Sequence, residues 1–352
     1  EDGIKCYEDT TNEINVYYIS SFLPDNKDNY INVINDCYNL FDKNIFPIIV
    51  VNDLNEGGLV SLSQLFLGII SPLMSIDMYK GRIRMTNAFT DTDEINYYIN
   101  SNLTNIDNCL NENYHNLIDK KVTVNYGDIQ STLTNLFFIN NKNIHDNIET
   151  ARNNMYSKRK PTEILIYTDG YSFSAAGLMM QYLQKSGGAI IVGYLGNPKE
   201  ANKIFDISQS PSPVFTSGLL KIFSPGNYMT LLNMPSNNDW EIQMPGIQSF
   251  YDSQNVNTPL EYEVIQPDLH SGIYQNFDKN SYDTFILKAK EIFDKYQIDC
   301  NPNNKNLVKV SEECNGQFGN NYTYGGYECG NDGKWTTKCV HTYCALGYFF
   351  NK

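Results

Sequence analysis

The segment from Ile164 to Pro198 places a serine where nucleophilic chemistry could be built. It reads Ile-Leu-Ile-Tyr-Thr-Asp-Gly-Tyr-Ser-Phe-Ser-Ala-Ala-Gly-Leu, then a helix, then Gly-Ala-Ile-Ile-Val-Gly-Tyr-Leu-Gly-Asn-Pro. Ser174 falls at the carboxyl end of an expected strand and in the first turn of the helix. Unpaired backbone N–H groups gather at a helix start and can hold a developing oxyanion. Small neighbours at Ala175, Ala176 and Gly177 leave the approach open. A plain reading stands beside this one. Ser is a favoured N-cap, and caps are far commoner than nucleophiles, so this segment alone favours a capping role for Ser172 or Ser174.

Two further segments carry groups that such chemistry would use. Val50 to Gly58 ends in Asn55-Glu56-Gly57-Gly58. A glycine pair lets the backbone turn sharply and approach a neighbour closely, and a tight strand-to-helix turn explains it equally. Leu260 to Asp268 reads Leu-Glu-Tyr-Glu-Val-Ile-Gln-Pro-Asp. Its Glu261 could orient an imidazole, or could be an exposed acid on an edge strand.

Together these three segments resemble the active-site regions of the tail-specific, or C-terminal-processing, serine peptidases. The branch most resembled is typified by the chlamydial protease-like activity factor. The resemblance implies an α/β core of crotonase/Clp-protease-like βαβ layers and a protein or peptide substrate. Ser174, in Phe-Ser-Ala-Ala-Gly, matches the nucleophile, with Ser172 as second choice. A backbone N–H near Gly58 would join that of Ala175 in the oxyanion hole. Glu261 matches the carboxylate that precedes a Val-x-Pro-Asp turn, with Glu263 in reserve. Ile207 to Ser212 resembles the Ser-rich region that follows in these relatives. One departure is plain: the usual Asp-Leu-Arg is out of register, with Val51 where the acid often lies and Asp53 displaced.

The base is a second departure. A neutral Ser hydroxyl needs one within hydrogen-bond reach. The chain has four His, at 115, 145, 270 and 341. In the resembling branch the catalytic His precedes the strand that here begins near Tyr17, where this chain has none. His115 and His145 fall in a polar insertion, His341 in a Cys-rich tail, and His270 is in the wrong chain order. A Ser–Lys dyad is not matched either, because Gly196-Asn197 stands where Gly-Lys would be, and Lys199 is a poor substitute. Two expectations follow. The His is supplied from a segment outside this chain, and the expected partners, besides substrate, are a missing N-terminal segment or a second copy through self-association. Alternatively the chain is a catalytically dead relative serving as an extracellular structural, filament or adhesion component.

The elements that must position these groups follow from apolar patterning. Strands are expected at Tyr17 to Phe22, Phe46 to Val51, Glu163 to Thr168 and Ala189 to Tyr194. Short wholly apolar runs suit parallel strands buried on both faces. Helices are expected at Asp28 to Asp42, Leu59 to Ile70, Ser174 to Lys185 and Tyr282 to Tyr296. The last is amphipathic through Phe285, Ile286, Ala289, Ile292 and Phe293. Strand and helix alternation predicts a parallel α/β layer. Residues 91–161 form a polar insertion, expected to hold some helix near Asp128 to Phe138. Thr216 to Gln254 reads as hairpins and loops. The core is expected over residues 1–299 and a Cys-rich module over 300–352.

Composition bounds the partners. Forty acidic side chains against 26 basic give a net charge of -14 over 352 residues. That excludes a phosphate-reading surface and a polybasic membrane patch. No apolar run reaches the 18 or so residues of a membrane span. No cofactor is implied. No Asp-x-Asp-x-Asp-Gly loop with a closing Glu is present, and no Cys-x-x-Cys pair, so no metal is expected. Eight Cys, five of them in the tail at Cys300, Cys314, Cys329, Cys339 and Cys344, read as disulfide staples. Sequons at Asn102 and Asn321 agree with export and glycosylation. The tail also resembles sushi modules through Trp335 shortly before Cys339. The start at Glu1 and the odd Cys count in the tail read as a piece of a longer secreted precursor.

Overall fold

In a computed structural model the described residues are 3–74, 80–85, 121–134, 137–138, 142–194, 206–209, 211, 214–215, 244–245, 247–250, 258–271, 281–315 and 322–344. They form a mixed α/β protein of two compact units. Unit 1 comprises residues 1–76, 146–209 and 264–352, and unit 2 comprises 77–145 and 210–263.

Unit 1 is built on a six-stranded sheet. Its strands are β1 (Ile4–Asp9), β2 (Ile14–Ile19), β3 (Ile48–Asn52), β4 (Ile164–Thr168), β5 (Ile190–Gly193) and β6 (Leu269–His270), in spatial order 1-2-3-4-5-6. β1 is antiparallel to β2, and the pairs from β2 to β6 are parallel. Every residue of β3, β4 and β5 is buried. The wholly apolar runs therefore make central strands, covered on both faces. Helices α1 (Lys27–Phe41) and α2 (Val60–Ile70) cover one face. There Tyr17 meets Phe41 and Phe66 edge-on, with ring centroids 4.8 and 5.0 Å apart. Helix α3 (Lys142–Asn154) sends Arg152 against the last turn of α2, donating to the carbonyls of Gly68 and Ser71 and to that of Met74. Helix α4 (Ala175–Ser186) follows β4. The opposite face carries α5 (Ser281–Tyr296), whose Phe285, Ile286, Ala289 and Phe293 pack on Val51, Tyr167 and Val192. The amphipathic stripe read from the sequence is this contact. Among the described residues no helix is long and apolar enough to cross a membrane.

Disulfides staple unit 1. Cys6–Cys37 joins β1 to α1, while Cys300–Cys329 and Cys314–Cys339 cross the tail. The tail sheet runs β7 (Lys309–Val310), β8 (Tyr322–Cys329) and β9 (Trp335–Cys344), antiparallel throughout. Leu307 enters the core under α5, and the Trp335 indole donates to the Tyr296 carbonyl at 2.9 Å. Cys344 closes β9, and its side chain lies outside the described residues, as do Cys109, Asn102 and Asn321.

Asp268 joins the sheet to the tail. Its buried carboxylate accepts from the Ile191 N–H at 2.8 Å and the Asn304 side-chain amide at 2.7 Å. Burial pushes its carboxyl from 3.8 up to about 6, and these hydrogen bonds only partly offset the rise. A raised carboxyl pKa means that the folded state binds the proton more readily than the unfolded chain. This contribution to stability is full below about pH 4 and is lost as pH rises through about 6. Two pKa units correspond to roughly 3 kcal/mol. We expect urea unfolding to show the wild type losing stability relative to Asp268→Asn between pH 4 and 7. A pH-independent difference between the two would refute this.

In unit 2, Lys80–Ile83 pairs with Ile247–Phe250 and with Phe137–Phe138. The helix expected at Asp128 to Phe138 is absent. Val122–Tyr126 and Ile129–Leu133 form an antiparallel hairpin instead, with Tyr126 opposite Ile129. Gly127, at φ 59°, and Asp128 make the two-residue turn that this pairing requires. Helix follows later, as α3.

Candidate active site

The register of the sheet sets two loops side by side. β3 and β4 are neighbouring parallel strands ending together, Asn52 opposite Thr168. The chain leaves β3 through Asp53 to Leu59 into α2, and leaves β4 through Asp169 to Ser174 into α4. Ligands of parallel α/β sheets gather at this carboxyl edge.

A buried polar network locks the two loops. The Asn52 side-chain amide donates to Ser172 Oγ at 2.6 Å, and Ser172 Oγ lies 3.1 Å from Thr168 Oγ1. Asn52 Oδ1 accepts from the Asn55 amide at 2.9 Å, and Asn55 Oδ1 accepts from the Gly57 N–H at 2.9 Å. Across the loops, the Phe173 N–H donates to the Asn55 carbonyl at 3.0 Å. The Ser172 carbonyl accepts from the Gln209 N–H at 2.7 Å. Ser172, fully buried, is thus committed to holding the loops. Asn52→Ala would leave Ser172 and Asn55 short of partners in the interior. We expect a loss of about 1–3 kcal/mol in chemical denaturation. A loss below 0.5 kcal/mol, in the range of an ordinary surface substitution, would count against the network.

Ser174 is held differently. Its backbone sits at φ 51° and ψ -121°, a region that non-glycine residues rarely adopt. Its side chain makes no capping bond to α4, so the capping role open to it in the sequence is not what this serine performs. Ser174 is 8% exposed. Two backbone donors of the paired loops have no acceptor among the described residues: the Ala175 N–H at the start of α4, next in the chain to Ser174, and the Gly58 N–H, next to Gly57. Glycine makes the approach possible. A Cβ at Gly57 would lie 2.8 Å from Ser174 Cβ and 2.9 Å from Ala175 N. Gly58 packs equally closely on Phe22 and Leu23, and its neighbour Leu59 donates to the Phe22 carbonyl at 2.9 Å.

Acidic and phenolic groups line the same edge. The Asp53 carboxylate accepts from Tyr194 OH at 2.5 Å and from Tyr18 OH at 3.3 Å. Burial holds the Tyr194 phenol far above its ordinary value, and the bond to Asp53 adds to this. Asp169 accepts from the Leu54 and Tyr171 N–H groups at 2.6 and 2.8 Å. Burial raises its carboxyl pKa, those two bonds lower it, and the charge of Asp53 adds a smaller rise.

Ser174 and Ala175 therefore meet Gly57, the neighbour of Gly58, within unit 1. Glu261 belongs to unit 2, in the short turn Leu260–Tyr262, where its Oε1 accepts from the Ser249 N–H at 2.7 Å. Glu263 follows that turn, half-buried. Of the histidines, His145 is on α3 and His270 on β6. The His341 side chain, His115, Asn197 and Lys199 lie outside the described residues. Ser208, from the Ser-rich stretch, accepts from the Gln181 amide at 2.8 Å. Asn55 belongs to the Asn-Glu-Gly-Gly segment singled out in the sequence, whereas Asn52 and Thr168, which organise the loops with it, stand in no motif. A polar residue closing an apolar strand was the one signal available.

No protein-family profile and no curated protein sequence matches the chain. Solved structures do match. A candidate peptidase from Parabacteroides merdae shares 14% identity over 83% of this chain and 64% of its own, with a TM-score of 0.42. A candidate S41 protease from Bacteroides fragilis shares 8% over 82% and 56%, with a TM-score of 0.42. A mutant of CPAF, the chlamydial protease-like activity factor, shares 13% over 84% and 52%, with a TM-score of 0.44. These neighbours all fit a tail-specific peptidase family. The chain spans about half to two thirds of their lengths.

Proposed function

We propose that this chain is the core of a secreted serine peptidase of the tail-specific kind, with Ser174 as nucleophile. The observation that carries the reading is the backbone of Ser174. A serine at positive φ, uncapped, on paired loops that carry two unbonded backbone N–H groups is what an activated nucleophile on a strand-to-helix turn requires. Strain of this kind persists where the surroundings impose it and function uses it.

The reaction is acyl transfer to water. Ser174 Oγ bonds to the carbonyl carbon of the scissile peptide, and its proton passes to a histidine. The Ala175 and Gly58 N–H groups hold the oxyanion. The amine leaves with the proton from the histidine, and water then cleaves the acyl-serine by the reverse proton path. A segment outside this chain supplies that histidine. Layers of crotonase/Clp-protease type frame the site. Three disulfides favour an oxidising, extracellular setting, with Asn102 and Asn321 as glycosylation positions.

A second reading has one observation in its favour. Among the described residues no side chain is hydrogen-bonded to Ser174 Oγ. A catalytically dead peptidase-like protein, used as an extracellular structural, filament or adhesion component, would look the same. A fluorophosphonate probe separates the two. On the catalytic reading it labels the protein expressed with any flanking segments of its gene, and Ser174→Ala abolishes labelling. Labelling that survives the substitution removes Ser174 from the role, and an unlabelled wild type favours the structural component.

A further inference from the structure

Unit 2 holds a buried cation without an anion to meet it. Arg82 lies in the strand Lys80–Ile83 and is 6% exposed. A guanidinium stays protonated at any ordinary pH, so its charge enters the interior with it. Among the described residues nothing accepts from its Nε or its Nη1, and both atoms are shut off from solvent. Buried charges are ordinarily paired, and one left unpaired weighs heavily against the fold.

The neighbours of Arg82 supply a platform and further donors. Its guanidinium carbon lies over the Phe250 ring, 5.5 Å from the centroid. An aromatic face offsets part of the charge and uses none of the N–H groups at the guanidinium edge. Gln248 stands directly opposite Arg82 in the antiparallel pair, so both side chains leave the same face of the sheet. Gln248 Oε1 accepts from Tyr126 OH at 2.7 Å, which leaves its amide N–H groups as donors. Arg84, two residues on, brings a second guanidinium, which donates to Tyr262 OH at 3.4 Å. Burial raises the Tyr126 phenol pKa, Tyr262 adds to the rise, Arg82 and Arg84 oppose it, and Glu261 raises it further. Two guanidinium groups and one carboxylate thus surround Tyr126. Glu261 Oε1 accepts from the Ser249 N–H at 2.7 Å, and no hydrogen bond joins that carboxylate to Nε or Nη1 of Arg82. Among these described groups one positive charge is left over, in a chain whose net charge is -14.

We propose that Arg82 and Gln248 form a binding site for a carboxylate. Nε and Nη1 of Arg82 and the Gln248 amide supply its hydrogen bonds, Tyr126 fixes the amide, and Phe250 carries the guanidinium. The missing charge is single, which fits a carboxylate rather than a phosphate dianion. The planar guanidinium also matches a planar carboxylate. A bound ligand supplies the absent counter-charge, so binding stabilises the protein. The carboxylate comes from a small organic acid or from an acidic residue of a peptide. The site does not depend on the reading of Ser174.

The test melts the full chain in the presence of butyrate or its neutral amide, butyramide, at equal concentration and matched ionic strength. Butyrate is expected to raise the melting temperature saturably, and butyramide to leave it unchanged. Arg82→Met removes the charge and keeps the apolar stem. It is expected to weaken butyrate binding at least about tenfold, the loss of a charge-assisted hydrogen bond. Without ligand it should melt no lower than the wild type, because an unpaired buried charge has gone. Circular dichroism confirms that the variant is folded. Lys338→Gln, at an exposed lysine of the tail, keeps the response. End-blocked alanine pentapeptides with a central Glu or Gln identify the source. A shift with the Glu peptide and not the Gln peptide assigns the site to an acidic residue of a peptide. A shift with butyrate alone assigns it to a small organic acid. No shift with butyrate or the Glu peptide overturns the proposal. So does an Arg82→Met variant that responds like the wild type, or one that melts well below it without ligand, since the guanidinium then already has a partner. Inorganic phosphate that matches butyrate at equal concentration overturns the choice of a carboxylate.

Discussion

A Ser174→Gly variant is expected to lose all reaction with fluorophosphonate and yet to be more stable than the wild type. Loss of reaction needs only that Oγ is the atom that attacks the phosphorus and displaces fluoride. The stability gain comes from the backbone. Ser174 sits at φ 51° and ψ -121°, where a Cβ meets the neighbouring backbone and glycine does not. Strain of this sort is worth about 1–3 kcal/mol, and the extra freedom of glycine in the unfolded chain returns about 0.5–1 of it. A net gain of about 1 kcal/mol in urea unfolding should remain. Ser174→Ala is the informative companion, because alanine keeps the Cβ and therefore the strain. It should lose labelling equally and gain no stability. If glycine proves no more stable than alanine, the serine is not strained. If either variant still labels, another residue is the nucleophile.

The sheet could be read from the sequence because its signal is local and doubled. β3, β4 and β5 are short apolar runs, and burial on both faces leaves no other use for them. The stripe on α5 was equally legible. The hairpin at Val122–Leu133 was legible only in part: Val122–Tyr126 alternates apolar and polar residues, but Ile129–Leu133 puts Gln, Ser and Thr between its two apolar ends, and its turn depends on the conformation of Gly127. At the site, the place of Ser174 at the start of the helix was readable and its backbone conformation was not. Whether a serine caps a helix or stands strained above it depends on what lies beneath, here Gly57 from a segment more than 100 residues earlier. Ser172 makes the same point in reverse. Two residues away and of the same type, it is a structural hydroxyl because Asn52 and Thr168 reach it. Disulfide pairing was out of reach for a related reason, since spacing does not fix which cysteines the fold brings together.

Gly58→Ala is expected to be the most damaging single methyl in the described site. At Gly58 an added Cβ would stand 2.2 Å from the carbonyl carbon of Phe22, 2.4 Å from its oxygen and 2.4 Å from the nitrogen of Leu23. All three are backbone atoms, so no rotamer change relieves the overlap. Its φ of 134° adds strain of its own. The Phe22 strand end and the Gly57 loop must therefore separate, breaking the bonds from Phe22 N–H to the Gly57 carbonyl and from Leu59 N–H to the Phe22 carbonyl. Destabilisation of more than about 3 kcal/mol follows, from backbone overlap and lost hydrogen bonds together. Gly57→Ala should act more on function. Its Cβ would press on Ser174 Cβ at 2.8 Å and Ala175 N at 2.9 Å, displacing the Ser174 side chain and the Ala175 N–H that the proposed reaction needs. Labelling by fluorophosphonate should then fall at least about 100-fold, in line with a misplacement of an ångström. Gly127→Ala supplies the control. It shares a positive φ, but an added Cβ there meets nothing within 4 Å, so only backbone strain of about 1 kcal/mol is lost. If Gly58→Ala unfolds no more easily than Gly127→Ala, the close approach of the two loops is wrong, and the oxyanion hole built on it fails as well.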